Sequence, residues 1–541
     1  MPHLHWIGKE KVIHHHNDVI YRPLIAKETF GDVEIAKGNM IIHGDNLEAL
    51  KSLLPQYEGR VDCIYIDPPY NTGNESWVYN DNVNHPKIKK WLGEVVGKDG
   101  EDLSRHDKWL CMMYPRLKLL HKLLAETGVI FISLDDNEIV HLRMIMNEIF
   151  GENSFICQII VQSNKRGQTY KEIAKTHEYL LCFGKSEAEI GELSTEGTNL
   201  PENDEYGKFS ARELRNRNPK FGRHNRPNLF YPIYVDISAS DTNGHYPIST
   251  ELKEGFIEVL PYNSEGVESC WRWGKPKTAL STIDGSTKEL FAKQTREGAW
   301  RIFEKYRKES VKVKSIWMDT KHISEQGTNE LANLGLADKF QFPKPLGLVE
   351  DCIAIATDED SIILDSFAGS GTTAHAVLRL NAEEKSHREF ILIEMMDYAK
   401  DLTAERVRRA ITGYGVGDKT VKGLGGGFTF YDLGLALFDD KGNLSEPVNL
   451  SKLREYVWYV ETKAPFTEQT QSDFLGCFRG IGYYLLMDDS GPISLTYRTL
   501  AKISQKQDSY VIYGESCTLS EEFLLKNHII FKKIPNQLAR I

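Results

Sequence analysis

The sequence contains two short stretches whose residue types and order suit chemistry on a bound ligand. The first is the corner DPPY, formed by Asp67, Pro68, Pro69 and Tyr70 directly after the apolar run CIYI. Prolines lack an N–H and hold their carbonyls rigidly, so the corner can offer two fixed acceptors, the Asp67 carboxylate and the Pro68 carbonyl, beside an aromatic ring. The alternative is a turn with an exposed Asp, which does not explain its place directly after a buried strand.

The second stretch is the loop FAGSGTT, which follows the apolar strand SIILD. Gly369 and Gly371 let the backbone approach a ligand, and the helix predicted from Ala374 offers free N–H groups at its start. Glu394 closes the next strand, 23 residues beyond Gly371, where a carboxylate can accept from both hydroxyls of an adenosine ribose. The alternative is a tight turn with Glu394 in solvent. The order of strand, loop, helix, strand and acid favours a nucleoside cofactor.

The elements that must position these stretches follow an α/β pattern in two separated parts. The first part has apolar strands at 39–45, 62–67 and 128–136, followed by the strands FICQIIV and HEYLLCFGK. The second part has strands at 361–365 and 388–394. Helical stretches lie between the strands. Apolar strands joined through helices predict a doubly wound, mostly parallel sheet that is covered on both faces.

Length and composition restrict the class of protein. A chain of 541 residues predicts roughly two to four domains, and 41% hydrophobic and 26% charged residues are typical of soluble globular proteins. Neither a long apolar run nor an apolar N-terminal stretch is present, so we expect a cytoplasmic protein without a membrane span. The eight cysteines are scattered without a CxxC pair. They predict neither zinc nor disulfides, and no metal is expected.

Two basic, aromatic-rich blocks lie within this acidic chain, whose net charge is −11. Between residues 206 and 227 there are seven lysines and arginines and one acid, Glu213, and residues 271–314 repeat the pattern. Such blocks suit a surface that follows phosphates, although a solvated charged face is the plainer alternative. The residues that we expect to contact nucleic acid are Arg215, Arg217, Arg223 and Arg226.

Together, the DPPY corner and the FAGSG loop resemble the signature of the DNA amino-methyltransferases. The resemblance implies that DPPY is the catalytic motif and that FAGSG binds S-adenosyl-L-methionine. It also implies that Tyr70 stacks on a target base flipped out of the duplex. Asp rather than Ser at the head of the PPY motif favours the N6 amine of adenine over the N4 amine of cytosine.

DPPY precedes the FAGSG loop here, which matches the permuted arrangement of the beta class and implies a permuted Rossmann-like methyltransferase fold. By that resemblance, Asp45 approaches the cofactor adenine, and Lys344 and Pro345 line the methionine pocket. The other implied cofactor contacts are Asp365, Phe367, Ala368, Gly369, Ser370, Gly371, Thr372 and Glu394.

Further phrases resemble the modification (Mod) subunits of Type III restriction-modification systems: IHGDNLEALKSLL, NTGNESWVYND, RHDKWLCMMYPRLKLL and FISLDDNE. The resemblance implies a duplex DNA substrate, a homodimer and a restriction (helicase-nuclease) partner. The sequence itself has no GxxxxGK[ST] motif and no convincing nuclease constellation, so restriction would need another chain. The alternatives are a solitary DNA methyltransferase, a methyltransferase of RNA or of cytosine N4, and a catalytically inactive recognition subunit.

The sequence predicts five segments. They are an N-terminal extension (1–38), the catalytic part of the methyltransferase domain (39–185), a target-recognition insert (186–340), the cofactor-binding part (341–424) and a mixed α+β C-terminal interaction domain (425–541). In the last segment the runs EYVWYVET, GYYLLM and YVIYGES predict strands. A role in binding partners and a role as a capping element without a partner have equal weight there.

Overall fold

A computed structural model divides the chain into two compact units. The larger unit comprises residues 1–191 and 313–541, and the smaller unit comprises residues 192–312. The structure describes residues 4–72, 90, 93–94, 104–167, 173–194 and 201–538, with gaps at 242, 264, 283–284, 286, 296, 308–309, 416, 418–419, 440–442, 446–448, 468–472, 489–490 and 504. Most of the phrase NTGNESWVYND, residues 73–81, lies outside the described residues.

The first part of the larger unit alternates strands and helices, as predicted. Its strands are β1 (Leu24–Gly31), β2 (Met40–His43), β3 (Val61–Ile66), β4 (Leu124–Leu134), β5 (Phe155–Val161) and β6 (Glu178–Gly184). Its helices are α1 (Lys9–Val12), α2 (His15–Asp18), α3 (Val33–Ala36), α4 (Asn46–Tyr57), α5 (Arg105–Leu123) and α6 (Ile139–Phe150), with a 3-10 turn at Glu152–Ser154. Asp45 and Ser104 cap the N-termini of α4 and α5 with their side chains.

The smaller unit consists mainly of short antiparallel strands. They are β7 (Glu192–Ser194), β8 (Glu202–Asp204), β9 (Gly207–Glu213), β10 (Ile233–Asp236), β11 (Ile248–Ser249), β12 (Phe256–Val259), β13 (Leu290–Gln294), β14 (Trp300–Tyr306) and β15 (Ser310–Lys312). A 3-10 turn at Pro227–Leu229 and the helix α7 (Lys275–Leu280) interrupt them. The strand orders are β13-β14-β9-β8, β11-β10-β12 and β15-β7. A separate apolar core, which includes Leu214, Trp271 and Ile302, lies within this unit.

The chain then re-enters the larger unit. The strands are β16 (Ile316–Trp317), β17 (Ile362–Asp365), β18 (Glu389–Glu394), β19 (Gly413–Tyr414), β20 (Val421–Lys422), β21 (Gly427–Leu433), β22 (Phe474–Phe478), β23 (Ile481–Leu485), β24 (Met487–Asp488), β25 (Gly491–Pro492), β26 (Ser509–Gly514) and β27 (Ile529–Lys533). The helices are α8 (Ser324–Asn333), α9 (Leu346–Ala354), α10 (Thr372–Glu384), α11 (Glu405–Thr412), α12 (Leu450–Thr462), α13 (Tyr497–Leu500) and α14 (Glu521–Lys526). Short turns are 3-10 at Thr320–His322, Ala337–Lys339 and Asp397–Ala399, and π-helical at Lys400–Ala404.

One large sheet organises the larger unit. The order of its described strands is β1-β21-β2-β18-β17-β3-β4-β6-β5-β16, and all neighbours from β21 to β4 are parallel. The helices α4, α5, α6 and α12 pack in one group and α9, α10 and α11 in another, as expected when helices cover both faces. The prediction of a doubly wound, mostly parallel α/β sheet is confirmed.

The large sheet extends beyond the segments predicted to form the methyltransferase domain. β1 comes from the predicted N-terminal extension and β21 from the predicted C-terminal domain, yet they pair with each other, and β21 pairs with β2. The compact insert runs only from Glu192 to Lys312. Residues 313–340 join the larger unit, where β16 pairs with β5. These boundaries depend on pairing between distant segments, which local composition does not encode.

The C-terminal segment contains the predicted mixture of strands and helices. Its four-stranded sheet has the order β22-β23-β26-β27, and GYYLLM and YVIYGES lie largely in β23 and β26. The prediction of a strand for EYVWYVET is wrong, because this run forms the second half of α12. Its aromatic and β-branched residues favour strands locally, but Leu453, Tyr456 and Val457 recur at helical spacing and are buried in the core of the larger unit. No helix in the described ranges is long and apolar enough to cross a membrane.

Candidate active site

Four carboxylates lie at the carboxyl ends of neighbouring strands. Asp45 follows β2, Glu394 ends β18, Asp365 ends β17 and Asp67 follows β3. The direction of the chain through the sheet reverses between β17 and β3, because β17 leads to β18 on one side and β3 leads to β4 on the other. Open α/β sheets bind their ligands at such a switch point. The sheet therefore brings the DPPY corner and the FAGSG loop to the same crevice.

Residues of α5 and of the N-terminus of α6 stabilise the DPPY corner. Trp109 is fully buried and donates its indole N–H to the carbonyl of Pro69 at 2.7 Å. The next residue, Asn71, has a left-handed backbone with φ of 56°, and its side-chain amide donates to Glu138 and, at 3.1 Å, to the carbonyl of Arg105. These contacts hold the corner in place. The sequence did not identify the three supporting side chains, which are Trp109, Asn71 and Glu138.

Glu138 is buried at the centre of a polar cluster next to the corner, and its two histidine neighbours are half-buried. Its two carboxylate oxygens lie 2.6 Å from Nδ1 of His106 and 2.6 Å from Nδ1 of His141. Among the described residues, these three side chains are close enough to hold a metal ion. However, nitrogen and oxygen ligands of a tetrahedral zinc ion would lie about 3.3 Å apart, whereas 2.6 Å is a hydrogen-bond distance. We therefore assign the cluster to anchoring Asn71, and the absence of a metal requirement stays a prediction.

Asp67 and Tyr70 share a small polar pocket with two residues from distant parts of the chain. The Lys344 ammonium Nζ lies 3.3 Å from Asp67 Oδ1, 3.2 Å from Glu178 Oε2 and 2.5 Å from the Tyr70 hydroxyl. The Tyr70 hydroxyl donates to Glu178 at 3.0 Å. The resemblance implied that Lys344 lines the cofactor pocket, but its ammonium lies at Asp67. The reason is that α9, which begins directly after Lys344 and Pro345, packs against β3.

Burial disfavours the charged forms of Asp67 and Lys344, whereas the attraction between the two groups favours them. Burial raises the pKa of Asp67 to about 6, with Lys344 lowering it and Glu178 raising it. Burial also works against the charge of Lys344, but the two carboxylates outweigh it and raise the pKa of the ammonium. The pocket opens into a cavity of about 280 Å³, lined in part by Tyr70, Glu178, Phe342 and Lys344. This volume is close to the lower end of small-ligand sites, about 300 Å³.

The FAGSG loop takes the backbone conformation that its glycines predict. Gly369 and Gly371 have φ of 51° and 80°, and Gly371 is the N-cap of α10. The Glu394 carboxylate accepts the N–H groups of Gly369 at 2.8 Å and of Met396 at 2.9 Å. Burial raises the pKa of Glu394 to about 7, although these bonds lower it. Glu394 therefore connects the end of β18 to the loop.

Other predicted cofactor residues hold the loop in its conformation. Asp365 is buried, which raises its pKa to about 7, and accepts the hydroxyl of Thr373 at 2.6 Å. The hydroxyls of Ser370 and Thr372 accept from the buried guanidinium of Arg406 at 2.9 Å and 2.7 Å. Arg406 lies on α11 and was not singled out from the sequence, because nothing local distinguishes it from the other arginines of that helix.

The remaining predicted cofactor residues lie around the same crevice. Asp45 accepts the N–H of Leu47 at 2.8 Å, yet 31% of its side chain stays exposed. Phe367 is partly buried against the main core, and Ala368 is buried, with its N–H donating to the carbonyl of Ile393 at 3.1 Å. Two acidic side chains at adjacent strand ends, Asp45 and Glu394, thus border the glycine loop.

A comparison with known protein families shows to which family the chain belongs. The family described as DNA methylase matches residues 61–405. The chain belongs to this DNA methylase family. The Type III restriction-modification enzyme EcoPI Mod subunit of Escherichia phage P1 is 33% identical over 418 residues, which cover 72% of this chain and 63% of that protein. The Type II methyltransferase M.KpnI of Klebsiella pneumoniae is 35% identical over 354 residues, covering 65% and 79%. A solved M1.HpyAVI–SAM complex aligns at 16% identity over 68% of this chain and 98% of that chain, with a TM-score of 0.28.

Glu178 is a residue of the Asp67 pocket that the sequence did not identify. It begins β6, which runs antiparallel to β4. An antiparallel strand beside parallel ones starts at the edge where its neighbours end, so Glu178 reaches the DPPY corner. The available signal was an acid in front of the apolar run YLLCF.

The four arginines predicted to bind DNA differ in exposure. Arg215 and Arg217 both pair with the buried Glu213, at 3.0 Å and 2.9 Å, but 16% of the Arg215 side chain is exposed against 74% for Arg217. Arg223 and Arg226 are exposed. Arg215 is thus largely enclosed, whereas Arg217, Arg223 and Arg226 are exposed to solvent.

Proposed function

We propose that this DNA methylase transfers a methyl group from S-adenosylmethionine to the exocyclic N6 of an adenine flipped out of duplex DNA. The observation that carries the proposal is the meeting of the DPPY corner and the FAGSG loop at the switch point between β3 and β17. Family membership supports DNA as the substrate. Asp67 at the head of the motif supports the N6 amine of adenine as the target. The N4 amine of cytosine is the second candidate.

The residues of the crevice fit this cofactor, which supplies an electrophilic methyl group on a sulfonium. The Ser366 hydroxyl at the start of the loop is buried and has no hydrogen-bond partner among the described residues. A Cβ at Gly369 would lie 3.1 Å from the Phe340 ring, so glycine lets this ring pack closely against the loop. In the proposal, Asp45 and Glu394 bind the nucleoside and the glycine backbone faces the methionine part.

The DPPY corner then prepares the amine. The lone pair of the adenine amine is delocalised into its ring, so the nitrogen is a poor nucleophile. Asp67 and the Pro68 carbonyl accept its two hydrogens and draw the nitrogen toward the geometry of in-line attack. With a pKa of about 6, Asp67 can accept the proton that the nitrogen releases after transfer. Trp109 keeps the corner rigid during this step.

Methylation-sensitive long-read sequencing tests the function. We expect cells that lack adenine methylation to acquire N6-methyladenine within one short sequence when they express this chain. Cells expressing Asp67→Asn provide the background. N4-methylcytosine at a short sequence would favour the second candidate, and DNA without any mark would favour an inactive recognition subunit.

Tyr70 should contribute through stacking on the flipped base. We expect Tyr70→Ala to weaken methyl transfer by about 1–3 kcal/mol. Tyr70→Phe keeps the ring and should be milder, although it removes the hydroxyl contacts with Glu178 and Lys344. Single-turnover methylation of a duplex with the recognised sequence measures both variants. Equal losses would assign the effect to the hydroxyl and refute the stacking role.

We infer that the smaller unit recognises the target sequence, because it carries the basic block with its exposed arginines. Arg217→Ala and Arg223→Ala should weaken binding to cognate and scrambled duplexes alike. Each should also reduce the slope of log affinity against log salt by about 0.9, the value for one phosphate contact. A fluorescence-anisotropy salt titration measures this slope.

Arg215→Ala is the matched control for these variants, since its side chain is largely enclosed beside Glu213. It should leave the salt slope unchanged. If Arg217→Ala and Arg223→Ala behave like this control, the basic block is only a solvated face, and recognition must be sought elsewhere in the insert.

We also propose that the chain is a homodimeric modification subunit in the cytoplasm with a restriction (helicase-nuclease) partner. Its similarity to a Type III Mod subunit supports the partner, whereas its similarity to a Type II methyltransferase favours the solitary alternative. Light scattering of the purified chain measures the oligomeric state. Co-purification with the products of neighbouring genes tests the partner.

A further inference from the structure

The Lys344 ammonium lies where the proposed function places the amine of the target base. It lies 3.3 Å from Asp67 Oδ1 and 2.5 Å from the Tyr70 hydroxyl, at the edge of the ring rather than over its face. The proposed function gives the contact with Asp67 to the amine of the target adenine, whose ring stacks on Tyr70. An ammonium group offers only hydrogen-bond donors, as does the amine toward Asp67. Lys344 therefore occupies the position beside Asp67 that the amine of the base needs.

A second acceptor for this ammonium is already in place. Both oxygens of Glu178 lie within reach of Lys344 Nζ, at 3.4 Å and 3.2 Å, and the Glu178 side chain is 9% exposed. A buried cation without a partner is strongly unfavourable. Because Glu178 remains beside it, Lys344 can leave Asp67 without losing all of its pairing.

We propose that Lys344 is an internal placeholder for the amine of the target base, which pairs with Asp67 until the flipped adenine displaces it onto Glu178. Lys344 and Glu178 are then positioning residues that couple insertion of the base to the release of Asp67. This inference rests on the proposed function, since it assumes that the base binds at Asp67 and Tyr70.

The charges around Asp67 predict the direction in which each substitution shifts the pH dependence of methyl transfer. Asp67 must be ionised to accept the amine hydrogens, so methyl transfer should fall as pH drops through about 6. Lys344 lowers the pKa of Asp67 and Glu178 raises it. The other titratable groups near Asp67 are Tyr65, Tyr70 and Asp365, and both variants below leave these residues in place. Removing the cation and removing the acid should therefore move the pH profile in opposite directions.

The experiment compares the pH dependence of single-turnover methylation by the full chain and its variants. Lys344→Met should move the acidic limb to higher pH by roughly one to three units, the range for loss of an opposite charge. Glu178→Gln should move it to lower pH, and Lys344→Arg should restore the wild-type midpoint. The matched control is Lys321→Met, whose ammonium pairs with Asp351 at 2.6 Å, and its midpoint should stay that of wild type.

A second readout follows the base itself. With 2-aminopurine at the target position, fluorescence reports the fraction of bases that have left the stack. We expect a larger signal in Lys344→Met, because no ammonium occupies the position beside Asp67, and a smaller signal in Glu178→Gln, because Lys344 has lost its second acceptor. This measurement needs binding but no methyl transfer, so it also serves for variants with very low activity.

The outcomes separate the two proposals. A wild-type chain that methylates no adenine overturns the proposed function before any variant is tested. If the wild type is active but Lys344→Met and Glu178→Gln keep its pH midpoint and its 2-aminopurine signal, the placeholder role is overturned. Loss of cofactor affinity in Lys344→Met with both readouts unchanged would instead place Lys344 in the methionine pocket.

Discussion

Asp67→Asn is expected to lower the rate of methyl transfer by about 10²–10³-fold or more, the cost of removing one strong transition-state contact. The substitution keeps the size of the side chain and the rigid Pro-Pro corner. It removes the negative charge and places an amide N–H₂ where the amine of the base needs an acceptor. Cofactor affinity should stay near that of wild type, because the FAGSG loop is held by Asp365, Glu394 and Arg406.

Asp62→Asn is the matched control for this variant. Asp62 lies at the opposite end of the same strand and accepts the N–H of Ile362 at 2.8 Å, a bond that the asparagine oxygen can keep. Methylation by this control should equal that of wild type, and calorimetry should show unchanged cofactor affinity in both variants. Methyl transfer by Asp67→Asn within about threefold of wild type would remove Asp67 from the chemistry.

The sequence predicted the strands that position the site because each is a short apolar run bounded by turn residues. β3 and β17 are examples, and each ends at the motif that was singled out. The glycines of the FAGSG loop were equally predictable, because left-handed backbone at Gly369 and Gly371 is a local property. Signals that operate within a few residues therefore sufficed for the strands and for the two motifs.

The supporting residues could not be predicted because their roles arise between distant segments. Lys344 reaches Asp67 only because α9 packs on β3, and Glu178 arrives at the same pocket on an antiparallel strand. Trp109 is one apolar residue among many on α5 until its indole N–H meets the Pro69 carbonyl. The pattern of a helix predicts which face is buried, but it does not say which side chain on that face meets a functional loop.

The backbone and the side chain of Lys344 lie in different parts of the crevice, and its predicted place in the methionine pocket stays a prediction. Lys344 and Pro345 are adjacent, and the family resemblance gives both to the methionine pocket. In the structure the Lys344 carbonyl lies toward the FAGSG loop, 3.5 Å from the Thr372 hydroxyl, while its ammonium extends to Asp67. A long side chain can thus serve a different part of the crevice from its own backbone.

The second large effect is expected at Gly369, where we predict that Gly369→Val lowers cofactor affinity about tenfold or more, roughly 1.4 kcal/mol. The backbone there has φ of 51° and a Cβ would lie 3.1 Å from the Phe340 ring. A β-branched side chain is strained in this conformation and would press on the Phe340 ring, which distorts the loop. Glu394→Gln should weaken binding as well, because a neutral amide replaces the charged acceptor proposed for the ribose hydroxyls.

Gly59→Val separates backbone strain from position in the site. Its φ is +68°, yet no atom lies within 4 Å of the added Cβ, so it should lose stability without losing cofactor affinity. Calorimetry against pH supplies a further test, since the pKa of Glu394 is raised by burial to about 7. If ionised Glu394 binds the ribose, affinity should fall as pH drops through about 7, and Glu394→Gln should abolish that dependence. Unchanged affinity in Gly369→Val, together with the same pH dependence in Glu394→Gln and wild type, would move the cofactor away from this loop.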